Sequence, residues 1–351
     1  VTNNRCERGE ILGDPRDAAV REKLKEKQQE KDRVPNLFAL REKLLFKNYS
    51  FPLVEPKKQV IIGIPRVLAF WDTMPFWGVF WRALGFEVRI SPASTRKIYE
   101  SGLSAVTSDT VCFPAKLVHG HIRSLAESGV DRIFMPSITT VQSENTEKTS
   151  QSMCAVVKGY PIVVRNSDNP KKRWNIPFDA PLFHWYSPAD RDRQLTAYME
   201  ETFKIPKSST RKAIEAGDQA QKEFRQSLLN AGKKVCESLK AEGKYGVVLA
   251  SRPYQNDGLV NHDLPEMFTR QGIAVLTADS LPEADQGYLS KSRLDVINNF
   301  HARMLSSAIL AARSPWLEYV QIVSFGCGHD AYLSDEIIRM MKEISGKTPL
   351  I

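Results

Sequence analysis

Five cysteines, Cys6, Cys112, Cys154, Cys236 and Cys327, stand far apart along a chain of 351 residues. Thiolates are soft ligands that suit zinc, copper(I) or iron–sulfur clusters, and they are also nucleophiles. A structural zinc normally shows a close C-x-x-C-type pair, and this chain has none. Cys112 lies in Ser108-Asp109-Thr110-Val111-Cys112-Phe113-Pro114-Ala115-Lys116-Leu117-Val118-His119-Gly120-His121. Pro114 suits the first turn of a helix, where its missing N–H costs nothing. Cys112 then falls just before a helix start, where free N–H groups and the helix dipole favour a thiolate. Lys116, one turn on, sets an ammonium on the same side. On this stretch alone, a metal-bound or nucleophilic thiolate and a plain buried cysteine are evenly matched readings.

Cys327 follows a predicted strand and sits between Gly326 and Gly328, where the backbone is free to turn sharply and approach a bulky group. Cys154 is likewise in a loop beside a regular element. Ligand crevices in open α/β sheets lie at the carboxyl ends of the strands. Two such domains facing each other would bring Cys112, Cys154 and Cys327 together. Single cysteines from distant loops, each framed by Gly or Pro, fit a larger cluster better than a lone zinc, with Lys116 or Arg252 tuning its potential. Cys236, on a long charged helix, reads as structural. His119 and His121 are two apart, so on a helix they point in nearly opposite directions and form no chelating pair; at most one faces the pocket, with His119 the ligand-contact candidate. Arg66, at the end of a strand, and His262, in a loop before a helix, are ligand-contact candidates. His329 and Asp330 either contact a ligand or cap the last helix. No G-x-S-x-G, P-loop or H-E-x-x-H pattern is present, which removes the commoner hydrolase and NTPase readings, and the strand-end turn at Gly63 is not a G-x-G-x-x-G fingerprint.

Positioning these residues requires strands alternating with helices, which argues for an α/β protein with two Rossmann-like, doubly wound parallel sheets. Residues 1–57 read as an N-terminal helical arm: a charged helix from Pro15 to about Lys31, then a short amphipathic helix carrying Leu37, Leu40, Leu44 and Leu45. The first α/β domain is expected over 58–200. It has strands at Val60–Ile64, Glu87–Ile90 and Arg132–Pro136, a helix over Met74–Leu84 and another from Cys112 to about Ser128. Residues 166–200, rich in Pro, Asp, Arg and Trp, read as an irregular crossover. The second domain, 201–351, opens on a long helix at about Ser209–Glu242. Strands at Tyr245–Ala250, Gly272–Leu276 and Tyr319–Val323 follow, with helices at Leu264–Arg270, about Leu294–Ala312 and Ser334–Ser345. Trp71, Phe76, Trp77, Phe80 and Trp81 read as core.

Apolar content of 42% and charged content of 26% are those of an ordinary globular protein. No apolar run is long enough to span a membrane. The net charge of +8 is modest, and no recognised nucleic-acid module accompanies it. Few, scattered cysteines fit a reducing, cytoplasmic setting. Both ends read as cuts through a longer polypeptide.

Ile62-Gly63-Ile64-Pro65-Arg66, the Cys112 stretch, Ser251-Arg252-Pro253-Tyr254, Asn261-His262 and Ser324-Phe325-Gly326-Cys327-Gly328 together resemble the 2-hydroxyacyl-CoA dehydratase and activase-related superfamily. More closely, they resemble the uncharacterised domain that follows activator-type ATPase domains in very large anaerobic proteins. The resemblance implies an iron–sulfur protein of anaerobic metabolism, with a [4Fe-4S] or double-cubane cluster between Rossmann-like domains. It implies Cys112, Cys154 and Cys327 as ligands and Cys6 as a fourth candidate. The candidate partners it implies are an actin-like ATPase activator, in cis or in trans, a CoA ester and a second copy of the chain. Whether the domain acts on a CoA ester or only relays electrons stays open. The rival readings are a non-redox interaction domain with structural zinc, and a CoA- or nucleotide-binding module without metal.

Overall fold

The computed structural model of the chain describes residues 34–110, 112–144, 150–284, 289–296, 298–324 and 326–351. Among these the strands are β1 (Ile61–Ile64), β2 (Glu87–Ile90), β3 (Arg132–Phe134), β4 (Ser137–Thr140), β5 (Phe178–Asp179), β6 (Leu182–His184), β7 (Gly246–Ala250), β8 (Ala274–Thr277) and β9 (Leu317–Gln321). They form three sheets, of order β2-β1-β3-β5, β4-β6 and β8-β7-β9, and every pairing of these strands is parallel. The α/β expectation with parallel sheets therefore holds. β7 and β8 are buried along their whole length, as apolar runs covered on both faces must be.

The first two sheets run on from each other. Pro136 separates β3 from β4 and Pro181 separates β5 from β6, and proline has no N–H to give a ladder. Met135 N–H donates to Asp179 O at 2.9 Å and Ser137 N–H to Pro181 O at 2.8 Å, which carries the pairing across the break.

The helices are α1 (Leu37–Leu45), α2 (Phe70–Ala83), α3 (Arg96–Gly102), α4 (Phe113–Glu127), α5 (Ala155–Ser167), α6 (Pro170–Trp174), α7 (Pro188–Phe203), α8 (Lys207–Glu242), α9 (Gly258–Asn261), α10 (Leu264–Arg270), α11 (Asn299–Arg313) and α12 (Gly328–Ser345). The irregular crossover expected over 166–200 is a correction, because this stretch holds α6, β5, β6 and most of α7. Its prolines start helices instead of breaking them. Asn169 and Ser187 are N-caps whose side chains accept from Lys171 N–H and Asp190 N–H, and Pro170 and Pro188 follow them directly. α12 also begins six residues earlier than expected.

Two layers of core meet along α1 and α8. The first core holds Trp71, Trp77, Phe80, Trp81 and Phe134, and takes Leu45 from α1 with Phe224 and Leu228 from α8. The second takes Leu37 from α1 and Val235 and Leu239 from α8, against Val248, Leu276 and Tyr319. The amphipathic helix expected in the arm thus docks as α1; the charged helix expected before it lies outside the described residues. Arg41 of α1, fully buried, donates to Asp279 Oδ2 at 2.9 Å and to Trp71 O at 2.8 Å. Arg303 of α11 bridges Asp72 of α2 at 2.8 Å and Glu144, in the loop after β4, at 2.7 Å. No helix among the described residues is long and apolar enough to cross a membrane.

Candidate functional site

Cys112, Cys154 and Cys327 each occupy the position immediately before a helix, capping α4, α5 and α12 respectively. Cys112 and Cys327 have extended backbone angles, and none of the three spends its side chain on a capping hydrogen bond. The three line one cavity of about 150 Å³, together with Arg252, Tyr254, His329 and the small residues Ala155, Gly326 and Gly328. The helix start expected at Cys112 is therefore found at all three cysteines. Three sets of free N–H groups border the cavity, a setting that favours negative charge.

Arg252 follows β7 and is 1% exposed. Its guanidinium pairs with Asp330 at 2.6 Å and lies 3.5 Å from Cys327 Sγ. Burial opposes its charge, yet Tyr254, Asp330 and Cys327 together hold it fully protonated. Asp330 Oδ2 also accepts from Ser324 N–H at 2.8 Å, so the carboxylate ties the loop after β9 to α12. Asp330 partners Arg252, a role outside the two left open for it, while His329 lines the cavity.

The thiolate expected from the helix start is not what the bare side chain adopts. Burial pushes the Cys112 thiol up to about 11, assisted by Cys154 and Cys327, against the pull of the Ala115 N–H and Arg252. In the neutral-thiol state desolvation outweighs the dipole.

The donor set is three soft thiols beside one arginine, with no carboxylate in the cavity lining, which suits sulfur-loving metals. Among the described residues no three His, Cys, Asp or Glu side chains are grouped so as to hold a metal ion. A single tetrahedral zinc with bonds of about 2.3 Å needs its sulfurs roughly 4 Å apart.

The other expected residues go elsewhere. Lys116 is half-buried and is not in the cavity lining. His119 is buried, with Nδ1 2.8 Å from Asp168 Oδ2 and Nε2 2.9 Å from the Tyr160 hydroxyl. His121 faces the other way, 2.8 Å from Ser91 Oγ and 2.9 Å from Ser94 Oγ. The two do diverge, but neither reaches the thiols. Arg66, ion-paired with Glu42 and stacked on Phe46, meets the exposed His262 in a separate cavity of about 470 Å³ with Ser94 and Asp257. Cys236 is half-buried against the second core. Cys6 lies outside the described residues.

Sequence reasoning missed a cavity of about 450 Å³ behind Cys154, lined by Phe76, Trp77, Ile138, Met153, Trp185 and Phe300 among others. It opens at the carboxyl ends of β4 and β6, where α/β sheets place ligands. Met153 and the Tyr254–Phe300 ring contact, 6.4 Å between centroids, stand between it and the thiols. Phe76 and Trp77, expected as core, are buried, yet they also floor this cavity. Nothing local in the sequence signals it, because its walls come from segments as distant as Ala69 and Phe300.

No curated protein and no solved structure matches the chain. The family model described as the CoA enzyme activase uncharacterised domain (DUF2229) matches residues 61–281, from β1 to just past β8. That stretch includes Cys112, Cys154 and Arg252, and Cys327 lies beyond it. The match spans more than half of the chain, which belongs to this CoA enzyme activase-related family.

Proposed function

We propose that this chain is an iron–sulfur electron-transfer module, with Cys112, Cys154 and Cys327 holding a [4Fe-4S] or double-cubane cluster and Cys6 as a fourth candidate ligand. The observation that carries the reading is the meeting of three helix-capping thiols in one cavity beside a buried arginine. Such a cluster supplies one-electron chemistry at low potential, and a cation and N–H groups at its sulfurs raise that potential. Arg252 is the residue placed for this, and Asp330 keeps it aimed. An ATP-dependent activator of the actin-like class is the proposed electron donor, in cis or in trans. The proposed setting is CoA-thioester or related reductive metabolism in the cytoplasm. A reacting molecule in the cavity behind Cys154 would sit one residue layer from the sulfurs.

The test is iron and sulfide content after anaerobic reconstitution. The parent is expected to hold both, Cys112→Ala, Cys154→Ala and Cys327→Ala to lose most of them, and Cys236→Ala to keep them. Iron retained by all three ligand variants, or a colourless parent that takes stoichiometric zinc instead, sinks the proposal.

A further inference from the structure

Cys112 caps the start of α4, which carries His119; Cys154 caps the start of α5, which carries Tyr160. The two helices whose first turns present these thiols are therefore joined about two turns in, by the hydrogen bond between Tyr160 and His119 Nε2. Asp168 closes the arrangement. It is the C-cap residue of α5, 1% exposed, and accepts from His119 Nδ1–H. With Nδ1 turned to the carboxylate, Nε2 is left facing the Tyr160 hydroxyl. Arg173 of α6 holds the other Asp168 oxygen at 2.7 Å. The middle of α5 and its C-terminal cap are thus pinned to one side chain of α4. About 100° further round α4, the next residue, Gly120, meets the α3 backbone, where the Ile98 carbonyl oxygen occupies the space a Cβ would take. α4 is held between the two contacts and cannot roll toward either without breaking one.

We infer that the Asp168–His119–Tyr160 chain is a positioning clamp that sets Cys112 against Cys154 across the cavity. His119 touches neither sulfur; it acts through the two helices. The consequence for the metal centre rests on the iron–sulfur reading, whereas the clamp itself concerns the thiols with no metal bound.

The test is the alkylation rate of each cysteine by iodoacetamide in the reduced, metal-free protein, read by mass spectrometry, with Cys236 as internal control. His119→Ala removes both bonds, and Tyr160→Phe removes one while keeping the ring. His119→Gln is the conservative variant, since its amide still offers one donor and one acceptor. Losing a buried hydrogen-bonded pair opens the helix starts, so Cys112 and Cys154 are expected to react about tenfold faster in His119→Ala. Tyr160→Phe should give a smaller rise, His119→Gln should stay near the parent, and Cys236 should not change. Equal acceleration of Cys236 and Cys112 would mean general loosening and overturns the clamp, as do parent-like rates in both His119→Ala and Tyr160→Phe. Iron uptake by the same variants is a separate arm. A parent that takes no iron defeats the cluster reading and leaves the labelling result standing.

Discussion

At the scale of residues, the interior holds histidines that are neutral for a physical reason. Burial, with a smaller push from Arg66, lowers the His121 pKa to about 3, and burial with Arg252 and His329 does the same for His301. In the unfolded chain both return to about 6.5. Between those values the unfolded state binds more protons, so the stability contribution is complete above about 6.5 and is lost as pH falls toward 3. Each group contributes a slope of up to about 1.4 kcal/mol per pH unit. Asp257, raised chiefly by burial, acts in the opposite sense at carboxylate pH, so the window to read is from about 6.5 down to about 5. Urea denaturation across that window should show stability falling with acid, and His121→Gln should flatten the slope. A slope unchanged in the variant would mean that His121 is not the group being titrated.

At the scale of elements, glycines report which helix faces are in contact. A Cβ on Gly120 would collide with the Ile98 carbonyl oxygen, and one on Gly102 with the Gly120 backbone, so α3 and α4 cross backbone to backbone. Gly120→Ala must push the helices apart and should cost about 1–3 kcal/mol, as overpacking does. Gly159, in the middle of α5, has no neighbouring atom within 4 Å of the place a Cβ would take. Gly159→Ala should stabilise by about 0.4–1 kcal/mol, since it restricts only the unfolded chain and favours helix. Chemical denaturation of the pair checks both signs. A neutral Gly120→Ala would show that the crossing is looser than the backbone contact requires.

At the scale of the whole molecule, the two cores are joined by buried charge as well as by α1 and α8. Arg303 sits between Asp72 and Glu144, and Arg41 between Asp72 and Asp279. The arginines hold the Asp72 carboxyl down to about 2 against the opposing effect of burial. Arg303→Met leaves two buried carboxylates short of a partner and should cost about 3–5 kcal/mol. Because the pairs cross between the cores, the variant should also unfold less cooperatively. Trp71, Trp77, Trp81, Trp174 and Trp185 all belong to the part of the chain around the first two sheets, with only Trp316 beside the third. Tryptophan fluorescence and far-ultraviolet circular dichroism should therefore give separated transitions in Arg303→Met. Coincident transitions would show that the apolar contacts of α1 and α8 suffice for coupling.

The sequence by itself determined the α/β class, most helix and strand positions to within a few residues, and the divergence of His119 from His121. These follow from periodicity, from Gly and Pro at element ends and from the 100° step of a helix, all local properties. Local signals also mark Cys112 as a residue before a helix start. Only the tertiary structure decided which cysteines share a cavity, that Arg252 reaches Cys327 from 75 residues away, and that His119 spends both nitrogens on Asp168 and Tyr160. It also decided that the proline-rich stretch after α5 is ordered, since strands of two and three residues carry no readable period. The charge state of Cys112 divides the same way. The helix dipole that favours a thiolate is visible in the sequence, whereas the burial that overrides it exists only once the chain has folded around the sulfur.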